Sequence, residues 1–98
     1  MGQAIGVHAL AERFDREIFA KLSPVSCDLI EGDRFAAEPA MEIDDFLQFS
    51  FVDGVHLSDD LLDVTEASVR GGWDPDLAEH TLMWVAKHRE RNSLLSNV

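Results

Sequence analysis

Residues 58–91 read SDDLLDVTEASVRGGWDPDLAEHTLMWVAKHRER, and they carry the signals of two helices joined by a glycine pair. Ser58 is a favoured N-cap. Asp59 and Asp60 fall in the first turn behind it, where the positive end of the helix dipole stabilises carboxylates. Gly71-Gly72 stops that helix after residue 70. Asp74 caps a last helix with Pro75 at its first position, where the missing N–H costs nothing. Leu77, Thr81, Trp84, Val85 and His88 make its apolar stripe, while Lys87, Arg89 and Arg91 suit its C-terminal end. Residues 93–98 are expected to fray.

Working outward, residues 41–52 fit two periods. Ile43, Phe46, Leu47 and Phe51 make a helical face, whereas Leu47, Phe49 and Phe51 alternate as a strand would. A helix is favoured, because the chain offers no strong partner strand; Asp53-Gly54 is then a turn. Residues 4–22 read as an amphipathic helix with Val7, Leu10, Ala11, Phe14, Ile18 and Leu22 inward, ended by Ser23-Pro24. Residues 25–40, with Gly32 and Pro39 as breakers and Leu29, Ile30 and Phe35 as anchors, are expected to be irregular surface chain. The reading is an all-α domain spanning 1–98, a compact bundle of about four helices, with a minor β element in 25–57 as the alternative.

The chain of 98 residues is 46% hydrophobic, so it has the apolar material for one core. Its one cysteine, Cys27, precludes an intrachain disulfide and fits a reducing cytoplasm. Met1-Gly2-Gln3-Ala4-Ile5 lacks the basic and apolar regions of a secretion signal, and no apolar run approaches a membrane span. A soluble cytoplasmic protein is the expectation.

Charge is the extreme feature: 19 Asp and Glu against 8 Lys and Arg, a net −11. Phosphate contacts dominate nucleic-acid affinity and need cations, so direct binding to DNA or RNA is not expected. The imbalance is local. The stretches 1–21 and 70–98 are each neutral, while 22–69 carries twelve acids against Arg34 alone. Acids solubilise cheaply, but one-signed clustering destabilises the compact state, so the pattern asks for a use.

Catalytic chemistry is poorly supported. The helix–Gly-Gly–helix would present Asp74, Asp76 and Glu79 to phosphates if read as a DNA-binding motif, the wrong sign. His80 and His88 lie roughly 80° apart on their helix, and no zinc-protease spacing is present. His56 with Asp59, Asp60 and Asp63 is the densest candidate metal cluster, yet capping explains those aspartates. Cys27 has no nucleophile signature around it. No enzyme, cofactor or metal is expected.

Two readings remain. In the first, a rigid array formed by Asp44, Asp45, Asp59, Asp60, Asp63 and Glu66 on helices occupies a cationic, nucleic-acid-binding site of a partner protein, carboxylates standing in for phosphates. In charge and size alone the chain is similar to small acidic phage proteins that block host defence nucleases, anti-CRISPR proteins and DNA mimics among them. The second reading is a helical adaptor or regulatory subunit, compatible with a homodimer, binding through Phe46, Phe49, Phe51 and Trp73 or Trp84.

Overall fold

The computed structural model describes residues 5–96, and among them every regular element is helical. In chain order these are α1 (Val7–Glu17), a 3-10 turn (Phe19–Lys21), α2 (Pro24–Phe35), α3 (Pro39–Val52), α4 (Asp59–Arg70) and α5 (Pro75–Ser96). The all-α reading holds, with five helices in place of four. Residue 4, and residues 97–98 of the segment expected to fray, lie outside the described residues.

The helix α3 is the centre, touching α1, α2 and α5, while α5 also packs along α4. Its Ile43, Phe46 and Leu47 are fully buried among Leu10 and Phe14 of α1, Ile30 of α2, Leu61 and Leu62 of α4 and Val85 of α5. Phe46 stacks on Phe14 with ring centroids 5.4 Å apart. Phe51 lies between the rings of Trp84 and His88, at 5.7 and 5.3 Å. Phe14 and Phe46 are the largest side chains wholly buried between the helices, and leucine, isoleucine and valine fill the space around them.

The 25–40 segment differs from expectation, since most of it is helix. Ser23-Pro24 both ends the α1 segment and starts α2. Ser23 Oγ accepts from the Ser26 N–H at 3.3 Å, and Pro24 sits where its missing N–H is harmless. Asp53, at the end of α3, clasps that start: its Oδ2 accepts from the Ser23 N–H and from Ser26 Oγ, both at 2.9 Å. These bonds hold the Asp53 carboxyl below its ordinary pKa. Gly32 lies within the helix, where a single glycine lowers stability without breaking it. The stop comes later, at Ala37, a non-glycine residue with φ 57°. There the Glu38 N–H returns to the Asp33 carbonyl at 3.2 Å.

The last helix runs on through residues expected to fray, because its final turns are tied down. Arg91 donates to the carbonyls of Phe51 and Val55 at 2.9 and 3.1 Å, and Asn92 Nδ2 to that of Leu57 at 2.8 Å. Ser58 and Asp74 cap α4 and α5 as read, accepting from Leu61 and Leu77.

Opposite signs are expected for two α2 variants in urea denaturation. Ser23→Ala removes the cap and lowers stability by about 1 kcal/mol. Gly32→Ala, whose added Cβ meets nothing within 4 Å, raises it by about 0.5–1 kcal/mol.

Candidate protein-binding surface

The six carboxylates expected to form one external array are divided by the structure. Asp44 is 3% exposed. It accepts from Thr81 Oγ1 at 2.7 Å and from His80 Nδ1 at 2.9 Å, so it joins α3 to α5 and faces no partner. Asp45 is half-buried beside Asp33 of α2. Asp59, Asp60 and Asp63 are exposed on α4 and Glu66 is half-buried there, but the flanking helices answer all four. Arg13 of α1 pairs with Asp60 at 2.7 Å, and Arg89 of α5 with Asp63 and Glu66 at 2.8 and 3.2 Å. Arg70 pairs with Glu66 at 2.9 Å, and Asn92 Nδ2 donates to Asp59 at 3.1 Å. Arg70 holds the Glu66 carboxyl below its ordinary pKa, with Arg89 adding to the effect.

The aromatics divide as well. Phe46 is core, and Phe49, Trp73 and Trp84 pack against it. Phe35, expected as an anchor, is 96% exposed at the end of α2. It leads to a face that the sequence reading passed over. Val25, Leu29, Gly32 and Ala36 recur at steps of four, three and four residues, and all are exposed. Val25 is 69% and Leu29 51% exposed. Asp28, Glu31 and Phe35 flank this stripe, with Glu38 just beyond, and among the described residues no cation pairs with Asp28, Glu31 or Glu38. The single cation of α2, Arg34, points the other way, paired with Asp15 of α1 and lying 4.4 Å over the Phe19 ring. The helix therefore buries Ile30, turns its one cation inward, and leaves a second apolar stripe flanked by acids outside, where an ordinary surface helix is polar. Its periodicity was in the sequence; the breaker reading of Gly32 hid it.

Chemistry elsewhere is limited. Ser50 Oγ stands 3.3 Å from His88 Nε2, the spacing of a nucleophile and its base, but both residues are sealed in the core. Nε2 already donates to the Leu47 carbonyl at 2.7 Å and cannot take the serine proton. Burial, more than that bond offsets, lowers the His88 pKa and keeps the ring neutral. Burial likewise raises that of the Cys27 thiol, whose Sγ lies 3.4 Å from the Phe19 carbonyl. Among the described residues no group of three or more His, Cys, Asp or Glu could hold a metal ion, and no helix is long and apolar enough to cross a membrane. Compared with known proteins, the chain matches no family model, no curated protein and no solved structure.

Beneath the α2 face, Asp33 and Asp45 meet between α2 and α3, and Asp33 Oδ2 is buried without a partner. Burial first, and then hydrogen bonding and repulsion from Asp33, push the Asp45 pKa up to about 8. Without that proton, two half-buried carboxylates would face each other with no donor between them. The folded state keeps a proton that the unfolded chain loses near 3.8. The stability linked to it is complete below that pH and is lost as pH rises through the folded value. Urea midpoints should accordingly show Asp45→Asn gaining on the parent from pH 4 to pH 8–9, since the amide stands in for the protonated acid; a constant difference would refute the shared proton.

Proposed function

We propose that this protein is a protein-binding module whose docking face is the outer side of α2, and that its partner presents a cationic, partly apolar surface. The observation that supports this is the outward pairing of the Val25–Leu29–Gly32–Ala36 stripe with Asp28, Glu31 and Phe35 on a helix whose one cation is turned inward. Exposed apolar groups ringed by charge are the usual anatomy of a docking site. A second copy of the chain would bring like charges together at this face, whereas a basic amphipathic helix would match both its apolar stripe and its sign. The flat place left by Gly32 lets a partner backbone come close.

This reading keeps the cationic partner expected from the charge but moves the contact from α4 to α2, because Asp60, Asp63 and Glu66 already have cations and Asp59 accepts from the Asn92 amide. Where the partner's basic surface is one that holds nucleic acid, docking of this domain competes with it, and the outcome is inhibition of the DNA-mimic or anti-CRISPR kind. Where the partner is an enzyme subunit or scaffold, the same face makes the domain an adaptor. Displacement of nucleic acid from a cationic partner at low salt separates the two.

A synthetic basic amphipathic helix, followed by fluorescence anisotropy, tests the face itself. Binding should weaken steeply with salt. Gly32→Gln and Phe35→Ser, both at open positions, should each weaken it by about tenfold or more with the fold intact by circular dichroism. Asp60→Asn with Asp63→Asn should leave it nearly unchanged. Loss through the α4 pair and indifference to the α2 variants would overturn the assignment.

A further inference from the structure

The helix α2 is held to the body chiefly by α3, and among the described residues it has no comparable packing against another helix. Its second half is weak in itself. Ile30 is its one fully buried apolar side chain, and Gly32 lowers the helix's own stability. The stop at Ala37 sets a non-glycine residue at φ 57°, a conformation that strains an L-residue. What closes this half beyond Ile30 is polar: Arg34 on Asp15 of α1, and Asp33 on Asp45 of α3.

The acid pair is the unusual contact. Asp33 Oδ2 is buried and meets no donor group, both residues are half-buried, and among the described residues no cation pairs with either. The other charged groups around them are engaged elsewhere. On α3, Asp44 is bound to His80 and Thr81 of α5, and Glu42 is approached by Arg34. On α2, Arg34 is turned to Asp15. The hydrogen bond between the two carboxyls therefore needs a proton of its own, which burial and the facing charge keep on Asp45 up to about pH 8. Once that proton leaves, the bond becomes a repulsion between two poorly solvated anions, where α2 has least else to hold it. Opening lets both carboxylates reach water.

We propose that the proton shared by Asp33 and Asp45 latches the second half of α2 onto α3, and that this half opens apart from the rest of the bundle when the proton is lost. The closed helix keeps the proton, whereas in the open one Asp45 ionises as an ordinary aspartate, near 3.8. Closure is strongest below that pH and weakens as pH rises to the closed-state value. On the α2 docking reading, on which this consequence rests, the latch regulates how often the outer face is available to a partner.

Native-state amide hydrogen exchange on the full chain tests the latch, with Ile30, Glu31 and Arg34 reporting on α2 and Val85 and His88 on α5. The α2 amides should exchange about tenfold or more faster than those of α5 and depend less on urea, as a partial opening requires. Corrected for the chemical rate, their opening should rise about tenfold per pH unit from about pH 5 to about pH 7, one proton being released. Asp45→Asn and Asp33→Asn, whose amides stand in for the shared proton, should each flatten that profile with the fold intact by circular dichroism. In the parent, the Asp45 carboxyl carbon should titrate near pH 8. An ordinary aspartate midpoint, a flat profile in the parent, a slope that persists in both variants, or α2 amides as slow and as urea-sensitive as those of α5 would each overturn the latch. The basic helix at about ten times its Kd should slow the α2 amides about tenfold. A helix that binds without slowing them overturns α2 docking and leaves the latch intact. Slowing by the helix together with a flat pH profile overturns the latch and leaves α2 docking intact.

Discussion

The Asp44 carboxylate, buried between α3 and α5 and held by Thr81 Oγ1 at 2.7 Å and His80 Nδ1 at 2.9 Å, shows the constraint under which the fold is built. The helix α3 is apolar over most of its surface and must be covered by α1, α2 and α5. Yet it carries Glu42, Asp44 and Asp45 within four residues. Burying it drags these acids inside, and each must be answered from a different neighbour. Thr81 and His80 of α5 answer Asp44, Arg34 of α2 approaches Glu42, and Asp45 keeps a proton against Asp33. Breaking one such arrangement leaves a buried charge without compensation, which costs far more than an exposed ion pair contributes.

The same constraint decides where the net charge emerges. Arg13, Arg34 and Arg89 lie on α1, α2 and α5, and all three reach toward carboxylates of other helices. The neutral ends of the sequence therefore do not remain neutral patches on the surface. Arg13 and Arg89 from those ends are lent to α4, Arg34 of the middle is lent to α1, and the charges left on the outer side of α2 are acids. A charge count along the chain locates the excess within residues 22–69 but does not show which of those acids have cations beside them, as Asp60 and Asp63 of α4 do.

Much of the fold was legible because it is written in local signals. Ser58, Gly71, Asp74 and Pro75 bound α4 and α5 where capping chemistry puts them, and the apolar steps of α1 and α3 marked two further helices. The element missed, α2, begins at a Ser-Pro that also ends the preceding segment, and one dipeptide serving two helices reads as a single stop. Gly32 strengthened the error, since its tolerance inside a helix depends on surroundings that a sequence does not display. Among the candidate site residues, exposure was the illegible quantity. Asp44 and Asp60 are alike in sequence, and only the packing of α3 against Thr81, or the reach of Arg13 across 47 positions, tells them apart.

The way α2 is fastened bears on how tightly anything can bind it. One clasp lies at its start, Asp53 on Ser23 and Ser26, and the others lie near its end, Arg34 on Asp15 and Asp45 on Asp33. With Ile30 as the one fully buried apolar side chain between them, these clasps carry much of what resists local opening of α2. A partner that recognises the closed helix then binds only the fraction of molecules in which the clasps are made. On the α2 docking reading, affinity at the outer face would be set partly from the inner one, by the clasps that hold the helix closed.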